Sequence, residues 1–177
     1  MFFHVRELGL KPGTFHVELA PGEVDYLDEK IRQKSPLKAE GKVDLVSDSL
    51  EEIRFKGHLT VDMEADCDRC LDPAPYAVDA EFELFYRPIT DGYGEEVKLE
   101  DLKQDEVEMG FYEGDGMELN DVLREFVLLS LPMQRLCSEG CNGICPVCGQ
   151  NRNQQKCECV TAAVDDRWAV LKDLQKN

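Results

Sequence analysis

Eight cysteines gathered in two places constrain this chain of 177 residues more than any other feature of its sequence. One pair lies mid-chain, and six lie between residues 137 and 159. The eight are Cys67, Cys70, Cys137, Cys141, Cys145, Cys148, Cys157 and Cys159. Close-spaced pairs are typical of metal ligands, whereas a disulfide framework spreads its cysteines along the loops that it closes. The spacing therefore predicts that all eight are metal ligands.

The strongest metal-binding signal is the sequence Cys-Pro-Val-Cys-Gly at residues 145–149. Two thiolates separated by two residues converge on one ion, and the glycine after them allows the tight turn around it. Cys157 and Cys159 follow after a short polar loop. Because four thiolates at ~2.3 Å form the closed tetrahedral site of structural zinc, we expect zinc to bind there.

The other four cysteines leave two arrangements open. A predicted helix precedes Cys137, and if it packs on the hairpin that carries Cys67 and Cys70, then Cys137 and Cys141 reach the hairpin tip. The four would then form a second site. In the rival arrangement, the hairpin pair shares one site with the Cys-Pro-Val-Cys pair, and the remaining cysteines are partial ligands or free thiols.

Other chemistry has weaker support. Three aspartates flank the Cys67 pair and only Arg69 favours a thiolate, so a redox switch is disfavoured. The Cys-x-Cys spacing at 157–159 is unlike the common iron–sulfur motifs.

Catalytic zinc usually has a histidine or carboxylate ligand and an open position, and the three histidines lie far in sequence from the tail cysteines. The sequence contains no G-x-S-x-G, G-x4-G-K or H-E-x-x-H motif, and we expect no enzyme activity.

Charge restricts the partners that this chain can bind. It has 37 acidic and 20 basic side chains, a formal net charge of −17. Such a charge opposes the counterion release that dominates binding to nucleic acid, and it suits a basic protein partner. The tail has only Arg135, Arg152 and Lys156 against Glu139 and Glu158. Two four-thiolate zinc sites would add about −2 each, so the tail also opposes RNA binding.

Apolar alternation predicts a mainly antiparallel sheet. Residues 15–19 alternate before a Pro-Gly turn, and residues 53–63 and 76–86 alternate over longer stretches. The connection between the last two is too short for a parallel crossover, so they should pair antiparallel. This pairing places Cys67 and Cys70 at the tip of a long hairpin.

From Leu119 the apolar period changes to three and four, which predicts a helix that ends before Pro132. Asn120 or Asp121 is the expected N-cap. Leucines outside the main apolar stripe predict that this helix is buried on more than one face, against the sheet. A second helix is expected at residues 165–174.

These patterns predict an α+β fold: a mainly antiparallel sheet with a packed helix and a cysteine-rich, zinc-ribbon-like C-terminal segment. We expect residues 1–132 to form a β-rich domain and residues 133–177 to form the zinc-binding tail with its helix.

Residues 95–118 contain ten acidic and two basic side chains, and are either a solvated loop or a surface for a basic partner. With no secretory signal and no membrane-spanning apolar run, we expect a cytoplasmic protein without membrane contact.

Several motifs taken together resemble the YceD-like proteins. They are the Cys-Asp-Arg-Cys-Leu-Asp-Pro hairpin at 67–73, the helix end Leu-Ser-Leu-Pro at 129–132, the cysteine tail at 137–159 and the closing Asp-Arg-Trp at 166–168. The resemblance implies a bacterial or chloroplast protein required for accumulation of large-subunit ribosomal RNA, and hence a factor in ribosome assembly or rRNA processing. It supplies no catalytic residues, and zinc is inferred from the cysteine spacing alone.

Three hypotheses follow. In the first, an acidic surface that includes residues 95–118 holds a basic large-subunit ribosomal protein or a pre-ribosomal particle, and rRNA is contacted indirectly. In the second, a zinc-ribbon module binds rRNA through Arg135, Arg152 and Lys156. In the third, the Cys67 and Cys70 pair is a thiol-redox centre.

Overall fold

The computed structural model describes residues 1–47, 50–89 and 109–159, arranged in two compact units. The first unit consists of Met1–Ala65 and Pro75–Arg135. The second consists of Asp66–Ala74 and, among the described residues, 136–159. The expected helix at 165–174 and most of the acidic segment lie outside the described residues. The domain boundary at 132/133 stays a prediction, because a compact unit is defined by contacts and a domain by its ability to fold alone.

Eight strands and two helices form the described part of the chain. The strands are β1 (Phe2–His4), β2 (Gly13–Leu19), β3 (Ile31–Gln33), β4 (Leu37–Ser47), β5 (Glu52–Asp66), β6 (Pro73–Pro88), β7 (Gly110–Tyr112) and β8 (Gly116–Glu118). The helices are α1 (Val5–Leu8) and α2 (Leu119–Ser130). This composition confirms the α+β class that the sequence predicts.

The main sheet has the order β2-β4-β5-β6-β7, and β3 adds to it through β5. Strands β2, β4, β5 and β3 pair antiparallel, whereas β7 runs parallel to β6. Strands β5 and β6 are neighbours joined by residues 67–72, as the predicted hairpin requires. A separate two-stranded sheet pairs β1 with β8.

The alternation along β5 decides which face of the sheet is buried. Ile53, Phe55 and Leu59 are completely buried in the core. The residues between them point to the other face, where Arg54 forms an ion pair with Asp44 at 2.7 Å. One face of the sheet is therefore apolar, and the opposite face carries paired charges.

Helix α2 contributes one apolar stripe to this core, formed by Leu119, Val122, Leu123 and Val127. The expected N-cap is wrong: the cap is Glu118, whose side chain makes no capping hydrogen bond. Strand β8 runs straight into the helix, so no separate turn residue precedes it. The expectation of burial on more than one face is also wrong at Leu129, which is 72% exposed.

Candidate metal centres

The loop between β5 and β6 closes on itself through two backbone hydrogen bonds. The N–H of Cys67 donates to the carbonyl of Asp72 at 2.9 Å, and the N–H of Leu71 donates to the carbonyl of Cys67 at 2.9 Å. Leu71 has φ 64°, in the left-handed region that normally favours glycine. This turn brings the thiols of Cys67 and Cys70 together.

Cys137 and Cys141 join this pair to form a cluster that we call the hairpin tetrad. Its four sulfur atoms all lie within 4.8 Å of one another. The Sγ atoms of Cys67 and Cys141 are 3.8 Å apart, and those of Cys70 and Cys137 are 3.5 Å apart. Four thiolates bound tetrahedrally to zinc at ~2.3 Å would be ~3.8 Å apart, so the spacing fits a zinc ion.

The loop at residues 145–150 repeats the backbone turn of residues 67–72. The N–H of Cys145 donates to the carbonyl of Gln150 at 2.8 Å, and the N–H of Gly149 donates to the carbonyl of Cys145 at 2.8 Å. Gly149 has φ 74°. The two turns thus share their hydrogen bonds and their left-handed position, and they differ in the residue there: Leu71 in the first, glycine in the second.

Cys157 and Cys159 complete a second cluster with Cys145 and Cys148, which we call the tail tetrad. Its four sulfur atoms also lie within 4.8 Å of one another. Cys145 is buried, Cys148 is exposed and the other two are half-buried. The structure thus separates the cysteines into two sets of four, and the rival arrangement, with the hairpin pair beside Cys145 and Cys148, is not the one it adopts. That each cysteine binds a metal stays a prediction.

Backbone hydrogen bonds set the charge distribution in the hairpin tetrad. Burial opposes ionisation of Cys67, but backbone N–H groups of Cys137, Arg69 and Cys70 outweigh it and lower the pKa of this thiol to about 6. Burial instead raises the pKa of Cys70. In the absence of a cation the four thiols therefore share a limited negative charge, and a bound cation would stabilise the fully ionised set.

The tail tetrad has the same asymmetry. Backbone N–H groups of Cys148 and Val147 lower the pKa of Cys145 to about 5, and the Arg152 guanidinium, 3.6 Å from its sulfur, contributes. The pKa of Cys159 rises to about 12 because its thiol donates a hydrogen bond to Cys148 and is partly desolvated. In each tetrad the first cysteine of the Cys-x2-Cys turn, Cys67 or Cys145, has a lowered pKa and therefore ionises more readily than an ordinary thiol.

Two asparagines of the short polar loop at residues 150–155 donate hydrogen bonds within the second unit, one to a cysteine sulfur and one to a carboxylate. The amide of Asn153 donates to the sulfur of Cys141 at 3.2 Å. The amide of Asn151 donates to the carboxylate of Asp72 at 2.6 Å. Groups that hydrogen-bond to ligands orient them and tune the metal. The sequence predicts only a polar loop here, because its composition does not tell which side chains contact the cysteines and the hairpin turn.

Both tetrads offer four sulfur ligands and no open coordination position. A metal held by four thiolates has no vacant site at which to activate water or substrate, which is the arrangement of structural rather than catalytic zinc. Soft thiolates also select zinc over harder cations such as magnesium. If each tetrad holds a metal ion, its ligand set is therefore typical of a structural site.

The three histidines lie elsewhere and pair with carboxylates. His4 contacts Asp115 at 3.2 Å, and His58 contacts Asp79 at 2.7 Å. His16 likewise contacts a glutamate, at 3.3 Å. Within residues 1–47, 50–89 and 109–159, no histidine joins a cluster suited to a metal. No helix in the same part of the chain is long and apolar enough to span a membrane.

The chain thus combines an α+β fold with a cysteine-tipped hairpin and two sets of four cysteines, each of which could hold a metal ion. The chain belongs to the YceD family, since residues 55–175 match the model of the large ribosomal RNA subunit accumulation protein YceD. This match confirms the resemblance seen in the sequence. The family is described as an accumulation factor for large-subunit ribosomal RNA.

Relatives occur in bacteria and in a plant. The uncharacterized protein YlbN of Bacillus subtilis is 30% identical over 156 residues, covering 87% of this chain and 83% of the relative. The uncharacterized protein Rv2926c of Mycobacterium tuberculosis is 27% identical over 189 residues, covering 98% and 81%. The chloroplastic YCED homolog 1 of Arabidopsis thaliana, named as a large ribosomal RNA subunit accumulation protein, is 28% identical over 60 residues, covering 34% and 19%. No solved structure matches the chain.

Proposed function

We propose that this protein is a non-enzymatic ribosome assembly factor that holds a basic large-subunit ribosomal protein or assembly intermediate in the cytoplasm. Two zinc ions, one in each tetrad, stabilise its cysteine-rich unit. The family description supports the role in accumulation of large-subunit rRNA. The closed sulfur ligand sets support a structural rather than a catalytic use of the metal.

The charge of the chain is the main observation in favour of a basic protein partner. The whole chain has a formal charge of −17. The described part of the cysteine-rich unit, residues 66–74 and 136–159, has five acidic and three basic side chains. Two four-thiolate zinc sites would make it more negative, by about −2 each. Phosphate backbones are repelled by such a surface and basic proteins are attracted to it.

The zinc-ribbon hypothesis, in which the tail binds rRNA directly, loses support from the positions of its basic residues. Arg135 lies 3.7 Å from the carboxylate of Asp28, and Arg152 donates to the sulfur of Cys145. Of the three basic residues that the hypothesis requires, only Lys156 is free of such a contact and exposed. A protein that reads RNA normally presents its arginines to phosphates or bases.

The thiol-redox hypothesis is also disfavoured. Cys67 is completely buried, and its sulfur lies against that of Cys141 rather than facing solvent. Reactive redox cysteines are partly exposed so that an oxidant or a partner thiol can reach them.

Depletion of the protein from a bacterium that carries it, followed by measurement of the ratio of large- to small-subunit rRNA, tests the proposed role. We expect the ratio to fall. A tagged copy, captured from ribonuclease-treated extract, should retain basic large-subunit proteins at about 50 mM salt and release them at about 500 mM. An unchanged rRNA ratio would contradict the role, and capture that ribonuclease abolishes would show that RNA is the direct partner.

A further inference from the structure

A groove of about 640 Å³ lies in the first unit, along α2 and strands β7 and β8. Its lining includes Phe2, which is 42% exposed, and Leu129, which is 72% exposed. Phe111 and Leu128, both half-buried, extend this apolar surface. Large apolar side chains exposed together, in contrast to single scattered ones, mark a surface that binds another molecule.

Carboxylates surround this apolar floor. They belong to Glu113, Glu118, Asp121 and Glu125, and the groove contains one arginine, Arg124. Arg124 pairs with Asp121 at 2.9 Å, and the N-terminal amine pairs with Glu118. Within the part of the chain that the structure describes, Glu113 and Glu125 have no cationic partner. The groove thus combines an apolar floor with an excess of negative charge.

We propose that this groove binds an amphipathic segment of a basic protein. Apolar side chains of the segment pack on Phe2 and Leu129, and its lysines and arginines pair with Glu113 and Glu125. The inference rests on the proposed function and adds the surface that holds the partner. An apolar core with a charged rim is the usual composition of a protein interface, and opposite charge steers the encounter.

Charge separates this occupant from two others. Residues 90–108 of the same chain carry eight acidic and two basic side chains, so their charge has the same sign as that of the rim. In a twofold dimer the same patch of both subunits meets, which would bring two negative rims together. A basic partner alone gains from both the apolar floor and the rim.

Titration with a synthetic peptide tests the proposal on the full chain. The peptide has about 18 residues, with leucine at the i, i+3, i+4 and i+7 positions of a helix and lysine or arginine elsewhere. A second peptide replaces each basic residue by glutamate. We expect the basic peptide alone to bind, more weakly as salt rises, and to shift the amide NMR signals of Phe111 and Leu129.

Two groove variants should weaken this binding. For Leu129→Ser, which removes an exposed apolar contact without opening the core, we expect the dissociation constant to rise about tenfold. For the double variant Glu113→Gln with Glu125→Gln, we expect a rise of about three- to tenfold. Thermal unfolding of each variant verifies that the fold is unchanged.

Each groove variant has a matched control elsewhere in the first unit. Leu10→Ser removes a leucine that is 89% exposed and outside the groove. The double variant Glu18→Gln with Glu40→Gln changes the net charge by the same amount on the outer face of the sheet. We expect both controls to bind the basic peptide as the parent does. Equal weakening by groove and control variants, equal binding of the acidic peptide, or concentration-dependent dimerisation through the groove would overturn the proposal.

The depletion experiment separates the failure of this inference from the failure of the proposed function. If depletion lowers large-subunit rRNA and the triple variant of Leu129, Glu113 and Glu125 restores it fully with unchanged capture of basic proteins, the groove is not the binding surface and the function stands. If depletion leaves the rRNA ratio unchanged, the function is wrong, and the peptide titration still decides the groove.

Discussion

The two units of this chain bury different kinds of side chain. In the first unit the completely buried residues are large and apolar, such as Phe55, Ile53 and Leu123. In the described part of the second unit the buried side chains are those of four cysteines and one alanine, Cys67, Cys70, Cys141, Cys145 and Ala74. Three of its large aliphatic residues, Leu71, Ile144 and Val147, are exposed, and Leu136 is half-buried.

The difference in buried side chains indicates what stabilises each unit. Burial of apolar area contributes about 25 cal/mol per Å² and suffices where large side chains pack together. A segment that turns its aliphatic side chains outward lacks this term and requires another source of stability. The two cysteine tetrads provide that source if each binds a metal ion, because metal binding then becomes folding energy.

Removal of metal should have the largest effect, and on one unit only. Structural zinc contributes ~10 to 16 kcal/mol apparent in small domains, so chelation should leave residues 136–159 without fixed structure. The first unit should keep its core. Hydrogen exchange measured by mass spectrometry, with and without a strong chelator, separates peptides from the two units. Loss of protection in both units together, or in neither, would contradict the comparison.

A core truncation should produce the reverse pattern. Leu123→Ala removes a completely buried side chain of α2 and should lower the free energy of unfolding of the first unit by ~2 to 5 kcal/mol. Leu129→Ala, on the same helix but exposed, should change it by less than about 1 kcal/mol. Denaturant titration gives both values. We expect the bound metal per chain to stay unchanged in both variants, and loss of metal from L123A would show that the units are not independent in this respect.

The polar loop should control how tightly the hairpin tetrad binds its metal. Asn153→Ala removes the amide that donates to the sulfur of Cys141, and loss of such a group typically weakens metal affinity about 10- to 100-fold. Gln154→Ala, at the next and exposed position, is the control. Competition with a chromophoric chelator measures both affinities. Identical values for the two variants would mean that the Asn153 contact has no influence on the metal.

Substitutions at the left-handed positions of the two equivalent turns should have the smallest effects on stability. A left-handed non-glycine residue costs ~1 to 2 kcal/mol, and glycine costs ~0.5 to 1 kcal/mol more in chain entropy. Because Leu71 is 64% exposed and its side chain packs little, Leu71→Gly should stabilise the second unit by ~0.5 to 1 kcal/mol. Gly149→Ala should destabilise it by a similar amount. Thermal unfolding of the metal-bound protein measures both shifts, and shifts of the same sign would show that the turns are not equivalent.

Much of this arrangement could be predicted from the sequence because it depends on local periodicity. The alternation of residues 53–63 and 76–86 predicted the hairpin, and the three-four spacing after Leu119 predicted α2. The Cys-Pro-Val-Cys-Gly motif predicted the second turn, because its glycine readily adopts the left-handed backbone conformation that such a turn requires. The first turn has a leucine at that position, so its equivalence could be seen only in the backbone.

What the sequence did not reveal depends on contacts between residues far apart in the chain. Spacing alone left two partitions of the cysteines open, since it does not tell which pairs meet in space. The roles of Asn151 and Asn153 depend on acceptors about 79 and 12 positions away. Leu129 was expected to be buried because it is apolar, but an exposed apolar residue is common and becomes informative only beside Phe2 and the acidic rim.

Elemental analysis of protein purified without chelator, combined with a thiol count before and after chelation, tests whether bound metal orders the second unit. We expect about two zinc ions per chain and the release of eight reactive thiols when the metal is removed. Protein without bound metal, whose second unit stays ordered while all eight thiols react freely, would contradict it.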